Sequence, residues 1–112
     1  MLRFNSDHKF KIMQIADTQE IPTVSPDTLS LINNALDREK PDLVIFTGDQ
    51  IKGYSKKFKK DPAIIEGTID TLVEPIAKRN IPFMVTYGNH DAQCGVDNRG
   101  QYKFYAKYDN FI

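Results

Sequence analysis

The residues of this sequence best suited to chemistry fall in three short groups: Asp17-Thr18-Gln19, Gly48-Asp49-Gln50 and Gly88-Asn89-His90-Asp91. Carboxylates and side-chain amides offer oxygen to hard cations, and an imidazole can bind a metal or move a proton near neutral pH. Taken singly, the first two are what a strand end or an ordinary turn also requires. The third is harder to reduce to a turn, because Gly and Asn suffice for the bend and His-Asp adds nothing to it. What joins the three groups is position, since each directly follows an apolar run.

Those runs are the elements that must place the chemistry. Phe10 to Ala16 reads as a strand ending at Asp17. Leu2 to Phe4, followed by the turn residues Asn5-Ser6-Asp7, predicts a short β-hairpin leading into it. Ser25-Pro26-Asp27 carries an N-cap, a proline at the first helical position and an early acid. The helix that follows places Leu29, Ile32 and Leu36 on one face, widened by Leu31 and Ala35, and Lys40-Pro41 stops it. Leu43 to Phe46 is an unbroken apolar run that fits a strand covered on both faces, and it leads to Gly48-Asp49. Asp61-Pro62 opens a second helix with a stripe of Ile65, Ile69, Leu72 and Ile76, which Arg79-Asn80 closes. Pro82 to Tyr87 is the next apolar strand, and Gln101 to Ile112 begins as a helix. Strand, helix, strand, helix, strand implies an α/β fold with a parallel sheet and right-handed crossovers. In such sheets ligands bind beyond the carboxyl ends of the strands, which would gather the three groups on one edge.

Composition narrows the partners. The 112 residues are enough for one domain with a core. Fifteen basic residues balance fifteen acidic ones, so no global field points to nucleic acid or a membrane surface. A single cysteine, Cys94, cannot form an internal disulfide, which predicts an intracellular, cytoplasmic protein. The N-terminus lacks the apolar core of a signal peptide, and no stretch is long enough to span a bilayer.

The three groups resemble the first three motifs of the calcineurin-like metallophosphoesterases, written D-x-H, G-D-x-x and G-N-H-[DE] in that family. Order and spacing agree over essentially the whole chain, and the tone is nearest to bacterial phosphohydrolases of the purple-acid-phosphatase-like branch. The resemblance implies the N-terminal β-α-β-α-β half of a four-layer α/β/β/α sandwich, with residues 1–112 as part of one domain. It implies hydrolysis of phosphate mono- or diesters by two divalent metal ions (Mn, Fe or Zn) and a hydroxide bridging them. Asp17 would bind the first metal, joined by Gln19 at the place of a family histidine. Asp49 would bridge both ions, and Asn89 would bind the second. His90 would lie off the metals, near the phosphate, with Asp91 orienting its imidazole. Two divalent ions ~3.5–4 Å apart clamp the attacking and leaving oxygens of an in-line displacement, which is why a bridging carboxylate is needed.

Two departures from that pattern set further expectations. An amide oxygen at Gln19 is a weaker ligand than imidazole, so the first metal site should be weaker or completed differently. Purple acid phosphatases use a tyrosine three residues after the second-motif aspartate; here that place is Lys52, and Tyr54 comes two residues too late. The family also completes its site with histidines from a second half, whereas this chain has only His90 and His8. His8 sits in the N-terminal turn and reads as a solvated residue. The sequence therefore reads as a fragment whose sheet has one bare apolar face, awaiting its C-terminal half or a covering partner chain. The competing readings are a non-catalytic binding scaffold and an inactive truncated piece.

Three lesser features complete the reading. Lys52, Lys56, Lys57, Lys59 and Lys60 read first as a solvated loop, and second as cations that draw an anionic substrate. Cys94, in an unpatterned stretch from Ala92 to Gly100, reads as a free, incidental thiol. Tyr102, Phe104, Tyr105 and Tyr108 read as packing a helix on the sheet.

Overall fold

A computed structural model describes residues 2–112. Its elements are β1 (Ile12–Ile15), α1 (Pro26–Glu39), β2 (Leu43–Phe46), α2 (Pro62–Ala77), β3 (Phe83–Val85) and α3 (Asn98–Ala106), with 3-10 turns at Lys56–Phe58 and Asp91–Cys94. The strands form one parallel sheet in the order β1-β2-β3, with Ile12 opposite Leu43 and Val44 opposite Phe83. A further parallel bridge joins Phe83 to Phe111.

The helix ends form where their chemistry dictates. The Ser25 side chain accepts the N–H of Asp27 and the Asp61 side chain accepts that of Ala63, each just ahead of a proline at the first turn. Lys40, in the left-handed region at φ 47, ends α1 by donating its N–H to the Leu36 carbonyl.

Strand order decides the layers. Two right-handed crossovers that step the same way along a sheet place both helices on the same face. Met13, Ile15, Val44, Phe46, Phe83 and Val85 point to that face and join Ile32, Leu36, Ile65, Ile69, Leu72 and Ile76 in one core. Each of these aliphatic side chains that is fully buried contributes ~1.5–3 kcal/mol relative to exposure. Among the described residues no helix packs on the opposite face. Ile12 is 55% and Met84 38% exposed there, on either side of a half-buried Ile45. Leu43 on the same face is buried, beside a hollow that Leu2, Phe4 and Phe10 also line.

Four local expectations are corrected. No strand forms at Leu2–Phe4 and the regular strand starts at Ile12, so there is a turn but no hairpin. Asn5 and Lys9 close that turn through Asn5 N–H to Lys9 O at 2.9 Å. The Asn5 and Lys11 donors then turn to Asp42 Oδ2 rather than to a neighbouring strand. Leu31 does not widen the buried face of α1, because it is 71% exposed beside the open edge of β1. Tyr102 is exposed and meets the edge of Phe111, whereas Tyr105 is buried in the core. The stretch after the third group is ordered: Cys94 is buried and free, its thiol donating to the Asp91 carbonyl at 3.3 Å.

Candidate active site

The three loops leaving the strand ends are bonded to one another, and the backbone of each motif is what binds it to the next. Asp17 donates its N–H to the Gly48 carbonyl at 3.1 Å and Gln19 donates to the Asp49 carbonyl at 2.9 Å. His90 donates its N–H to Asp49 Oδ1 at 2.9 Å, joining the second and third groups. The chain reverses sharply at both acids, with Asp17 at φ 56 and Asp49 at φ 54. Aspartate is among the few residues that tolerate this left-handed region, and strained positions of this kind collect at functional sites.

Two glycines let the loops approach. A Cβ on Gly88 would lie 2.1 Å from Asp49 Oδ1, and one on Gly48 would lie 2.8 Å from the Gly88 nitrogen. A third glycine, Gly53, allows the following loop to pass beneath His90, since a Cβ there would meet the His90 carbonyl at 2.0 Å.

Asp91 does not orient the imidazole. Its carboxylate is fully buried and accepts the N–H groups of Asp49 at 2.8 Å, Ile51 at 3.2 Å and Gly88 at 2.7 Å. It is a clasp between two loops, and its charge is spent on backbone donors. The imidazole of His90 is held instead by Gln93, whose Oε1 lies 2.8 Å from Nδ1, and by the ring of Tyr54, which meets it edge-on at 5.0 Å between centroids. With the Gln93 oxygen as acceptor, this contact pairs with the Nδ1–H tautomer, which leaves Nε2 for a ligand.

Other parts of the cradle are given no role by the sequence reading. Buried Gln50 accepts the Gly48 N–H at 2.7 Å and donates to the Thr86 carbonyl at 3.1 Å. Buried Gln101 donates to the Asp91 carbonyl at 2.6 Å, tying α3 to the third loop. Glu20 reaches the start of α1, accepting from Ser25 N–H and the Thr28 hydroxyl. Below the third loop, burial first and the Asp91 charge second push the Tyr87 phenol up to about 12. Burial raises Tyr105, beside it, in the same direction.

The donors that face outward are Asp17, Gln19 and Asn89, all exposed, with Asp49 and His90 half-buried behind them. Among the described residues no three of His, Cys, Asp and Glu come together as a metal cluster. Two carboxylates and two amides form an all-oxygen set that fits part of a two-ion site, since ions of the Mn, Fe or Zn kind also favour imidazole. His8 lies in the turn that docks on Asp42 at the start of β2, the end of the sheet away from this site.

The family model for calcineurin-like phosphoesterases matches residues 10–112. Among curated proteins, the chain is 28% identical to "Probable inactive purple acid phosphatase 14" of Arabidopsis thaliana, covering 99% of this chain and 30% of that protein. It is 32% identical to "Phosphatase DCR2" of Saccharomyces cerevisiae, over 80% of this chain and 17% of that one. It is 28% identical to an uncharacterized metallophosphoesterase of Aquifex aeolicus, over 80% and 31%. The chain thus spans about a third or less of these relatives. A crystal structure shares the fold with a TM-score of 0.62 at 18% identity, over 91% of this chain and 45% of that one. No helix among the described residues is long and apolar enough to cross a membrane.

Proposed function

The chain belongs to the calcineurin-like phosphoesterase family, whose members generally bind divalent metals, and from that premise we propose that it supplies the first half of a phosphate-ester hydrolase site. The observation that carries this reading is the hydrogen-bonded junction of the three strand-end loops, which sets Asp17, Asp49, Asn89 and His90 on one rim. Asp17 and Gln19 would hold one ion, Asn89 the other, and Asp49 both. Bound Mn, Fe or Zn ions would supply Lewis acidity toward the phosphoryl oxygens and a nucleophile active near neutral pH.

The protein's own side chains do the positioning. Asp91 locks the loops that carry Asp49 and Asn89, so the donors are preorganised before any ligand arrives. Gln93 and Tyr54 present the Nε2 side of His90 to a phosphate, where it stabilises charge or protonates the leaving oxygen. The rest of the ligand set belongs to a C-terminal half of the same domain, or to a partner chain, which would also cover the face bearing Ile12, Ile45 and Met84.

The test has two arms. With Mn²⁺ added, the 112-residue chain should hydrolyse p-nitrophenyl phosphate or its bis ester poorly, and a longer product containing it should turn over in a manner lost on Asp49→Asn. Robust turnover by the short chain would overturn the half-site assignment, and an inactive longer product would overturn the catalytic one. A binding scaffold on the same fold is the second reading. It is favoured by Gln19 in place of an imidazole and by relatives named as inactive. Metal titration separates the two, since a scaffold need not hold ions.

A further inference from the structure

Directly after the first motif, Glu20 turns its side chain inward and is 7% exposed, whereas Asp17 and Gln19 before it face solvent. We propose that Glu20 is a positioning residue for the first-ion half of the rim. It latches the Asp17–Gln19 loop to the start of α1 and so holds those two donors outward. That role rests on the reading in which Asp17 and Gln19 share an ion, and it adds the group that fixes their conformation.

The latch joins three parts of the molecule. Through its backbone, Glu20 donates to the Gln50 carbonyl at 3.1 Å and accepts the Lys52 N–H at 2.9 Å. It thereby forms a parallel bridge with Ile51 beyond the ends of β1 and β2. Through its side chain it reaches α1, where Oε2 accepts the Ser25 N–H at 3.3 Å and Oε1 accepts the Thr28 hydroxyl. That helix is itself anchored in the core by Ile32 and Leu36. None of the ion pairs among the described residues engages Glu20. Its charge instead meets the first turn of a helix, the end that favours an anion.

The loop that Glu20 anchors is strained on both sides of it. Asp17, Gln19 and Thr23 all occupy the left-handed region, at φ 56, φ 42 and φ 64. Aspartate tolerates that region, glutamine less so, and a β-branched threonine there is an outlier. Such positions persist only where the surrounding contacts over-determine them. Gln19 is pinned by its own N–H on the Asp49 carbonyl and by the anchored residue that follows it. Thr23 lies inside the short loop that the Glu20 carboxylate closes onto Ser25. The Thr18 hydroxyl and the Glu20 N–H share one acceptor, the Gln50 carbonyl, so the loop and the latch meet at a single point of the second motif. Without the carboxylate, the turns at Gln19 and Thr23 lose their tie to α1, and the two rim donors lose their common direction.

Amide hydrogen exchange of the metal-free 112-residue chain tests the latch. Glu20→Ala should speed exchange at Asp17 and Gln19 about tenfold, the typical contribution of one hydrogen bond to a charged group. The amides of Asp49 and Gly88, held by Asp91, should be unchanged. Glu20→Gln keeps an acceptor oxygen and should recover most of the protection. Thr28→Val, which leaves Glu20 in place, should give the same local pattern at smaller amplitude. Equal acceleration at Gln19 and throughout β2 would mean a general loss of stability and would overturn the latch, as would no acceleration at Gln19. Mn²⁺ binding by the same chain, read from the electron paramagnetic resonance of the free ion, extends the test to the rim. Asp17→Asn and Glu20→Ala should each weaken it, and Glu20→Gln should not. Faster local exchange with unchanged Mn²⁺ binding in Glu20→Ala would overturn the positioning role. Mn²⁺ binding indifferent to Asp17→Asn would sink the ion assignment instead, and the exchange pattern would then decide the latch by itself.

Discussion

The rim and the cradle of this site are built from the same residue types for opposite purposes. On the rim, Asp17 and Asn89 are exposed and Asp49 is half-buried, with one oxygen on a neighbouring N–H. In the cradle, Asp91, Gln50 and Gln101 are at most 2% exposed and bonded to backbone groups of the loops. A carboxylate whose oxygens already accept three N–H bonds has little left for a ligand. One held at the tip of a left-handed turn has most of its capacity free. The same acid is thus a clasp or a ligand according to how many donors surround it.

The widest gap between the two regions should be in stability. Asp91→Ala strands three backbone donors, each costing about 1–3 kcal/mol when left unsatisfied. A loss of roughly 4 kcal/mol is expected by urea unfolding, a large share of what a domain of this size has. A loss below about 1 kcal/mol would mean that water replaces the carboxylate and that the clasp is not structural. Next in size, Gly88→Ala forces a methyl to within 2.1 Å of Asp49 Oδ1, which must move with its loop. Overpacking of this kind costs about 1–3 kcal/mol, and the His90 amide signal should shift as its bond to Asp49 is lost.

The cradle should also respond to alkali where the rim does not. Tyr87 is raised from 10.0 to about 12, and burial raises Tyr105 as well. Between pH 10 and 12 the unfolded chain loses phenolic protons that the folded chain keeps. The stability contributed below pH 10 should therefore fall as pH rises through that window. Tyr87→Phe should flatten the fall in a thermal-melt series; an identical slope would assign it to other groups.

Smaller still is the expected effect on the rim. Asp17→Asn should change stability by no more than about 0.5 kcal/mol, as surface substitutions do, while weakening Mn²⁺ binding in a longer product. A large stability loss with unchanged metal binding would break the division between the regions. Least of all, Gln93→Leu should leave unfolding unchanged and alter only the His90 tautomer ratio, read from imidazole ¹⁵N shifts. An unchanged ratio would show that Gln93 does not set it.

Much of the fold was legible beforehand because its causes are local. The caps at Ser25 and Asp61, the stripe Ile65, Ile69, Leu72 and Ile76, and the three strands with their following polar groups all depend on neighbours a few residues away. Parallel order followed from the alternation of elements, and the meeting of the three loops followed from parallel order. Where the sequence misled, a distant group had intervened. Leu2–Phe4 has strand-forming residues but no strand beside it, because the Asn5 and Lys11 donors are taken by Asp42. Leu31 has the right spacing for the core, yet the sheet edge ends before it reaches that side chain.

The division is sharpest at His90 and Asp91. Adjacent in the chain, they invite the inference that one orients the other. The chain instead turns a 3-10 helix at Asp91–Cys94, sending Asp91 inward to the N–H groups of Asp49 and Ile51 and bringing Gln93 to the imidazole. Residue types and their order determine which groups can bind a metal or phosphate and which sheet edge carries them. Whether a given acid is a ligand or a clasp depends on donors supplied by loops some 40 residues away. Only the packed tertiary structure brings those donors within hydrogen-bonding distance.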